Sequence, residues 1–175
     1  MRKLLYLSLF LLFSTSCSSP MKNLTTVPEV DINKYAGKWY EIARLPNSFE
    51  KDLICVTAEY ILRQDGKITV INTGLKEGDE GKVSSIKGKA WVPDPSEPGR
   101  LKVQFFWPFA SGYYIFHLDK ENYQYALVGT PSRKYLWVLS RSKEMDGNLY
   151  LQMVEIAKQN GFETATLLKV KQQCP

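Results

Sequence analysis

The chain has 175 residues, 44% of them apolar and 13% aromatic. That is enough for one domain with a real core, and too apolar for a disordered polypeptide. The formal charge is +5, but the lysines are scattered, so the basic stripe of a nucleic-acid-binding surface is missing. A single histidine and three cysteines form no set at metal-ligand spacing, and there is no glycine-rich phosphate loop.

The chain starts with an address. Arg2 and Lys3 precede an apolar stretch, Leu4 to Phe13, too short to span a bilayer. If this leader is removed, two of the 23 basic residues go with it and the net charge becomes +3. The run Ser14-Thr15-Ser16-Cys17-Ser18-Ser19 comes next. Small residues ending in cysteine resemble a bacterial lipoprotein cleavage site, with Ser14 standing where that pattern has leucine. The resemblance implies a signal peptide at 1–16 and lipidation of the Cys17 thiol at the new N-terminus. Ser18, rather than aspartate, after the cysteine implies sorting to the outer membrane. The alternative is a plain secretory leader with an incidental cysteine. Residues 17–30, polar and holding Pro20 and Pro28, would then be the lipidated N-terminus and a tether. The domain would occupy 31–175.

Asp31 to Tyr35 fits one helical turn. Beyond it β signals dominate, with strands predicted at 38–45, 55–62, 67–73, 84–92, 101–107, 112–118, 123–128 and 135–141. In the second, Val56, Ala58, Tyr60 and Leu62 share one face. Asp65-Gly66 is a hairpin turn. Pro93-Asp94-Pro95-Ser96-Glu97-Pro98-Gly99 is a loop. Eight strands at regular spacing predict an all-β fold, an antiparallel up-and-down β-barrel. A helix comes after them, with Asp146 as N-cap and Gly161 as its stop. Its stripe of Leu149, Met153, Ile156 and Ala157 would pack outside the barrel. Thr164 to Val170 reads as a last short strand.

If Cys17 carries lipid, Cys55 and Cys174 remain as an even pair, and an exported chain can hold a disulfide. Joining the second strand to the tail would close a long loop, worth about 4–5 kcal/mol in the chain-entropy model. The alternative is a reactive Cys55, but Ile54 and Val56 beside it supply no base.

Several runs together resemble the lipocalins, most closely the bacterial outer-membrane and apolipoprotein D-like members. They are Tyr35-Ala36-Gly37-Lys38-Trp39-Tyr40-Glu41-Ile42-Ala43-Arg44, Val56-Thr57-Ala58-Glu59-Tyr60, Gly88-Lys89-Ala90, Tyr125-Ala126-Leu127-Val128 and Tyr135-Leu136-Trp137-Val138-Leu139-Ser140-Arg141. The family's middle Thr-Asp-Tyr signature is represented by Leu118-Asp119-Lys120, with Tyr123 further on. The resemblance implies that Gly37 and Trp39 close the barrel floor and that Arg141 packs over the indole, a contact worth roughly 0.5–2 kcal/mol. It also implies a strand-to-tail disulfide between Cys55 and Cys174.

With Trp39 inside, alternation turns Glu41 and Ala43 inward. Val56, Ala58, Tyr60 and Leu62 join them if Cys55 faces out. Tyr135, Trp137 and Leu139 share the face of Arg141. The resemblance places Asn72 and Tyr113 in the pocket, and their parity adds Ile68, Val70, Ile115 and His117. The expected ligand-binding set is Ala43, Tyr60, Val70, Asn72, Ala90, Val103, Phe105, Tyr113, Ile115, Trp137 and Leu139. Such a lining suits a fatty acid or lysophospholipid, with its head group near Phe106-Trp107-Pro108-Phe109. That cluster could instead meet a membrane or a partner.

The expected role is lipid storage or transport at the bacterial outer membrane, in envelope maintenance or stress. No catalytic residue, cofactor, metal or nucleic acid is expected; the membrane is reached through Cys17, and a homodimer is left open. The competing readings are a lipid-modifying enzyme, for which Glu41 alone supplies no mechanism, and a structural envelope lipoprotein without a ligand.

Overall fold

The computed structural model describes residues 23–79 and 81–174. The expected leader and Cys17 lie outside the described residues. A short helix α1 (Ile32–Tyr35) is capped by Asp31, whose carboxylate accepts from the Asn33 amide. Eight strands come next: β1 (Gly37–Arg44), β2 (Leu53–Leu62), β3 (Ile68–Lys76), β4 (Val83–Trp91), β5 (Arg100–Phe106), β6 (Phe109–Leu118), β7 (Tyr125–Gly129) and β8 (Leu136–Ser140). Each pairs antiparallel with its sequence neighbour, and β8 returns to β1. Pairing of β1 with β2 closes the cylinder. The fold is the up-and-down barrel that the strand spacing predicts.

Two apolar clusters arise from strand alternation. The inner one fills the floor with Tyr35, Trp39, Ile68, Leu101, Ile115 and Val128, among others. The outer one lies between the barrel wall and helix α2 (Gly147–Gln159), where Met153 and Ala157 are buried against Ile42, Leu127 and Val138. Asp146 caps α2 by accepting from the Asn148 and Leu149 amides, 2.9 and 3.0 Å. After the C-cap residue Asn160, Gly161 takes φ +85°, the left-handed conformation that glycine adopts without strain.

Beneath the floor, the guanidinium of Arg141 lies 3.9 Å from the Trp39 ring centre. It donates to the carbonyls of Lys34, Tyr35, Ala36, Lys38 and Tyr123 at 2.7–3.2 Å. One side chain thus ties the entry helix, the first strand and the loop before β7. Gly37 at φ +92° brings the backbone to this cation; a Cβ there would stand 3.4 Å from Arg141 Nη1.

The chain end departs from the expected strand at 164–170. A 3₁₀ turn (Thr164–Thr166) comes first, and only Leu168–Lys169 forms a strand, β9, against Ala43 and Arg44. The reason is that β1 and β2 pair only from Gly37–Tyr40 to Thr57–Tyr60 and then part. The tail runs through the gap. Val170 N donates to Ile42 O at 2.9 Å and Cys55 N to Lys171 O at 2.7 Å. The Gln172 amide bridges Glu41 O and Val56 O at 2.8 and 2.9 Å. Cys55, at φ +55° where the β2 register shifts, joins Cys174 in a disulfide, with Cα atoms 6.0 Å apart.

Candidate ligand cavity

Above the floor the barrel encloses a cavity of about 610 Å³, within the roughly 300–1,000 Å³ typical of ligand pockets. Its base is a tyrosine relay. The hydroxyls of Tyr35 and Tyr113 are 2.8 Å apart, and those of Tyr60 and Tyr113 2.6 Å. Burial pushes all three phenols upward, so they remain neutral hydrogen-bonding groups. Val56, Ala58, Val70, Ile86, Val103, Phe105 and Leu139 supply apolar wall. Gly88 leaves room for Phe105: a Cβ there would lie 2.6 Å from its ring. Around the mouth stand Phe49, Phe106, Phe109, Tyr135 and Trp137. Phe106, Trp107 and Phe109 at the β5–β6 turn are 69%, 85% and 77% exposed.

The polar groups of the lining are distinctive. Among the described residues it contains the carboxyls of Glu41 and Glu50 and no lysine, arginine or histidine. Asn72 Oδ1 is buried and without a hydrogen-bond donor. Arg44 Nη1 donates to Glu41 Oε1 at 2.7 Å, while Nη2 donates to the carbonyls of Glu50 and Leu53 at 2.7 and 3.1 Å. Glu50 Oε2 accepts from Asn47 Nδ2 at 2.6 Å and from the Trp137 indole at 3.1 Å. Burial, and then the Glu50 charge, push the Glu41 carboxyl up to about 8 against the pull of Arg44. Among the described residues no group of histidine, cysteine and carboxylate side chains is placed to hold a metal ion.

Of the eleven residues expected to bind ligand, Tyr60, Val70, Asn72, Val103, Phe105, Tyr113, Trp137 and Leu139 line this cavity. Ala90 and Ile115 are buried in the floor beneath it. Ala43 lies in the outer cluster instead. One residue of β1, Ile42, is unmatched on β8 between the Glu41–Leu139 and Ala43–Val138 pairs, and this bulge reverses the facing of the residues beyond it. A second shift, between Ile115 and His117, does the same on β6. His117 therefore stacks on Tyr125, 6.1 Å between ring centres, away from the cavity. Leu62, expected inside, is exposed at the end of β2. Phe49, Glu50 and Leu53 join the lining from the β1–β2 loop and the start of β2. No periodicity marks that loop.

The chain matches the lipocalin-like domain over residues 30–172. It is 41% identical to the outer membrane lipoprotein Blc of Vibrio cholerae over 169 residues, 97% of this chain and 98% of that one. Identity to the Escherichia coli protein of the same name is 40%, over 93% of this chain and 91% of the relative. Bovine apolipoprotein D is 34% identical, over 83% and 79%. Among solved structures, lobster apocrustacyanin A1 superposes with a TM-score of 0.65 at 25% identity, covering 82% of this chain and 81% of that one. The barrel, its Trp39–Arg141 floor and this coverage lead to one conclusion: the chain belongs to the lipocalin family.

Proposed function

We propose that the protein binds a single-chain lipid, a fatty acid or lysophospholipid, in its barrel and stores or carries it at the bacterial outer membrane. The observation that carries this reading is the apolar cavity of about 610 Å³ with polar groups at its base and mouth. Each buried methylene contributes about 0.8 kcal/mol, so a dozen give about 10 kcal/mol of gross driving force. Ordering and association costs then reduce this heavily. The names of the Vibrio and Escherichia relatives support the membrane location, and a lipid on Cys17 would supply the attachment. A role in envelope maintenance or stress fits such a carrier. Binding is favoured over catalysis, because both cavity carboxyls are engaged with Arg44, Asn47 or Trp137 rather than paired with a nucleophile.

Titration with palmitate and palmitoyl lysophospholipids tests the reading. Binding with micromolar or tighter affinity is expected, with a change in Trp137 fluorescence that is absent in Trp137→Phe. A folded barrel that gives neither heat nor a fluorescence response with any acyl lipid would favour the ligand-free structural alternative.

A further inference from the structure

We infer that the mouth of the cavity is a recognition site for a positively charged alkylammonium head group, built from Glu50 and Glu41 with the rings of Trp137, Tyr135 and Phe49. The inference rests on the lipid-binding reading and names the head group it lacks.

Glu50 is held in place. Its Oε2 accepts from Asn47 and Trp137, and its backbone amide donates to Asn47 Oδ1 at 2.8 Å. The guanidinium of Arg44 stands behind the pair. Arg44 does not line this cavity, two of its bonds go to backbone carbonyls, and its Nε is 4.0 Å from Glu50. Two carboxyls thus share one cation, and in the empty cavity Glu41 holds a proton, which leaves Glu50 as the charge turned to the ligand space. A ligand cation would take the place of the Glu41 proton.

The rings continue the site. Phe49 and Tyr135 are 5.4 Å apart, and Tyr135 and Trp137 are stacked at 6.0 Å. Ring faces attract ammonium groups, the more so where water is excluded. Lys134, outside the cavity lining, already places its Nζ 5.5 Å from the Tyr135 centroid. Independently of the acids, Asn72 Oδ1 lies buried in the same cavity without a donor. The lining offers a carboxylate head neutral hydroxyl and amide groups but no cation; an ammonium head would meet two carboxyls, the Asn72 oxygen and ring faces.

The test holds the chain constant and changes the head. The purified protein is titrated calorimetrically at pH 7 with dodecylammonium, dodecanol and dodecanoate, each below its micellar concentration or solubility limit. The ammonium compound is expected to bind at least ten-fold more tightly than dodecanoate and more tightly than the alcohol. Glu50→Gln should bring the ammonium-to-alcohol ratio of affinities close to one, and Phe49→Leu, at an exposed ring, should lower it several-fold. Equal affinities, or a preference for dodecanoate, overturn the site while leaving the lipid reading in place. A ratio that neither variant changes overturns it as well. If none of the three binds to the folded barrel, both readings fall.

Discussion

Glu41→Gln isolates the electrostatic cost of the buried acid pair. In the fold this carboxyl titrates at about 8 rather than 4.5. The folded chain therefore keeps a proton that the unfolded chain loses, and stability falls as pH rises through that interval. Below 4.5 both states hold the proton and there is no penalty; above 8 both have released it and the penalty is complete. At 1.36 kcal/mol per unit, the displacement sets a ceiling of about 5 kcal/mol, and sharing of charge with Glu50 and Arg44 reduces this to about 2–4 kcal/mol. Arg44, Glu50, Gln172 and Tyr60 are the polar neighbours concerned. Glutamine imitates the protonated acid: its oxygen can accept from Arg44 and its amide can donate to Glu50. Urea denaturation with the disulfide intact, from pH 4 to 9, should give stabilities that come together at the acid end and separate in favour of the variant by pH 9. His117, held below its usual 6.5 by burial, adds a slope of opposite sign at lower pH that cancels between the two proteins. Parallel curves across the whole range would refute the reasoning.

Trp39→Ala should cost about 3–5 kcal/mol in denaturant melts, since the indole is fully buried in the floor. Arg141→Lys keeps the charge but loses the fork that serves five carbonyls, and a loss of about 1–3 kcal/mol should appear as a lower Tm. Val103→Arg should weaken lipid binding in calorimetry while leaving the far-ultraviolet spectrum unchanged, because the side chain enters the cavity rather than the packed floor. Cys17→Ser should abolish incorporation of labelled palmitate and release the protein from the membrane fraction; unchanged labelling would exclude Cys17 as the anchor.

Alternation made most of the barrel legible. Tyr60, Val70, Trp137 and Leu139 face inward because their strands keep an unbroken two-residue period up to the cavity. It failed where one residue was inserted, at Ile42 and near Phe116, because a bulge has no mark in a pattern of apolar residues. The floor was readable from Gly37, Trp39 and Arg141, which have few substitutes for that geometry. The acid pair was half visible: parity put Glu41 inside, but nothing in Leu45-Pro46-Asn47-Ser48-Phe49-Glu50 announces a loop that folds its carboxylate and ring over the mouth. The tail was legible only at its end, where Cys174 meets Cys55. The course of Val170 and Lys171 was hidden for a different reason: their bonds are made between backbone atoms, with Ile42 and Cys55, which every residue possesses.

That tail has a consequence for the order of assembly. The seam between β1 and β2 is sewn by Val170, Lys171 and Gln172, and the Gln172 amide reaches Glu41 across 131 positions of chain. A chain delivered N-terminus first presents its opening strand long before the residues that complete it. The pairing must wait for the end of synthesis and export, and contacts so distant in sequence form slowly. Until then the carbonyls of Glu41 and Val56 lack the amide that bridges them. Removal of a few residues that belong to no long strand would leave that stretch of the wall unbridged.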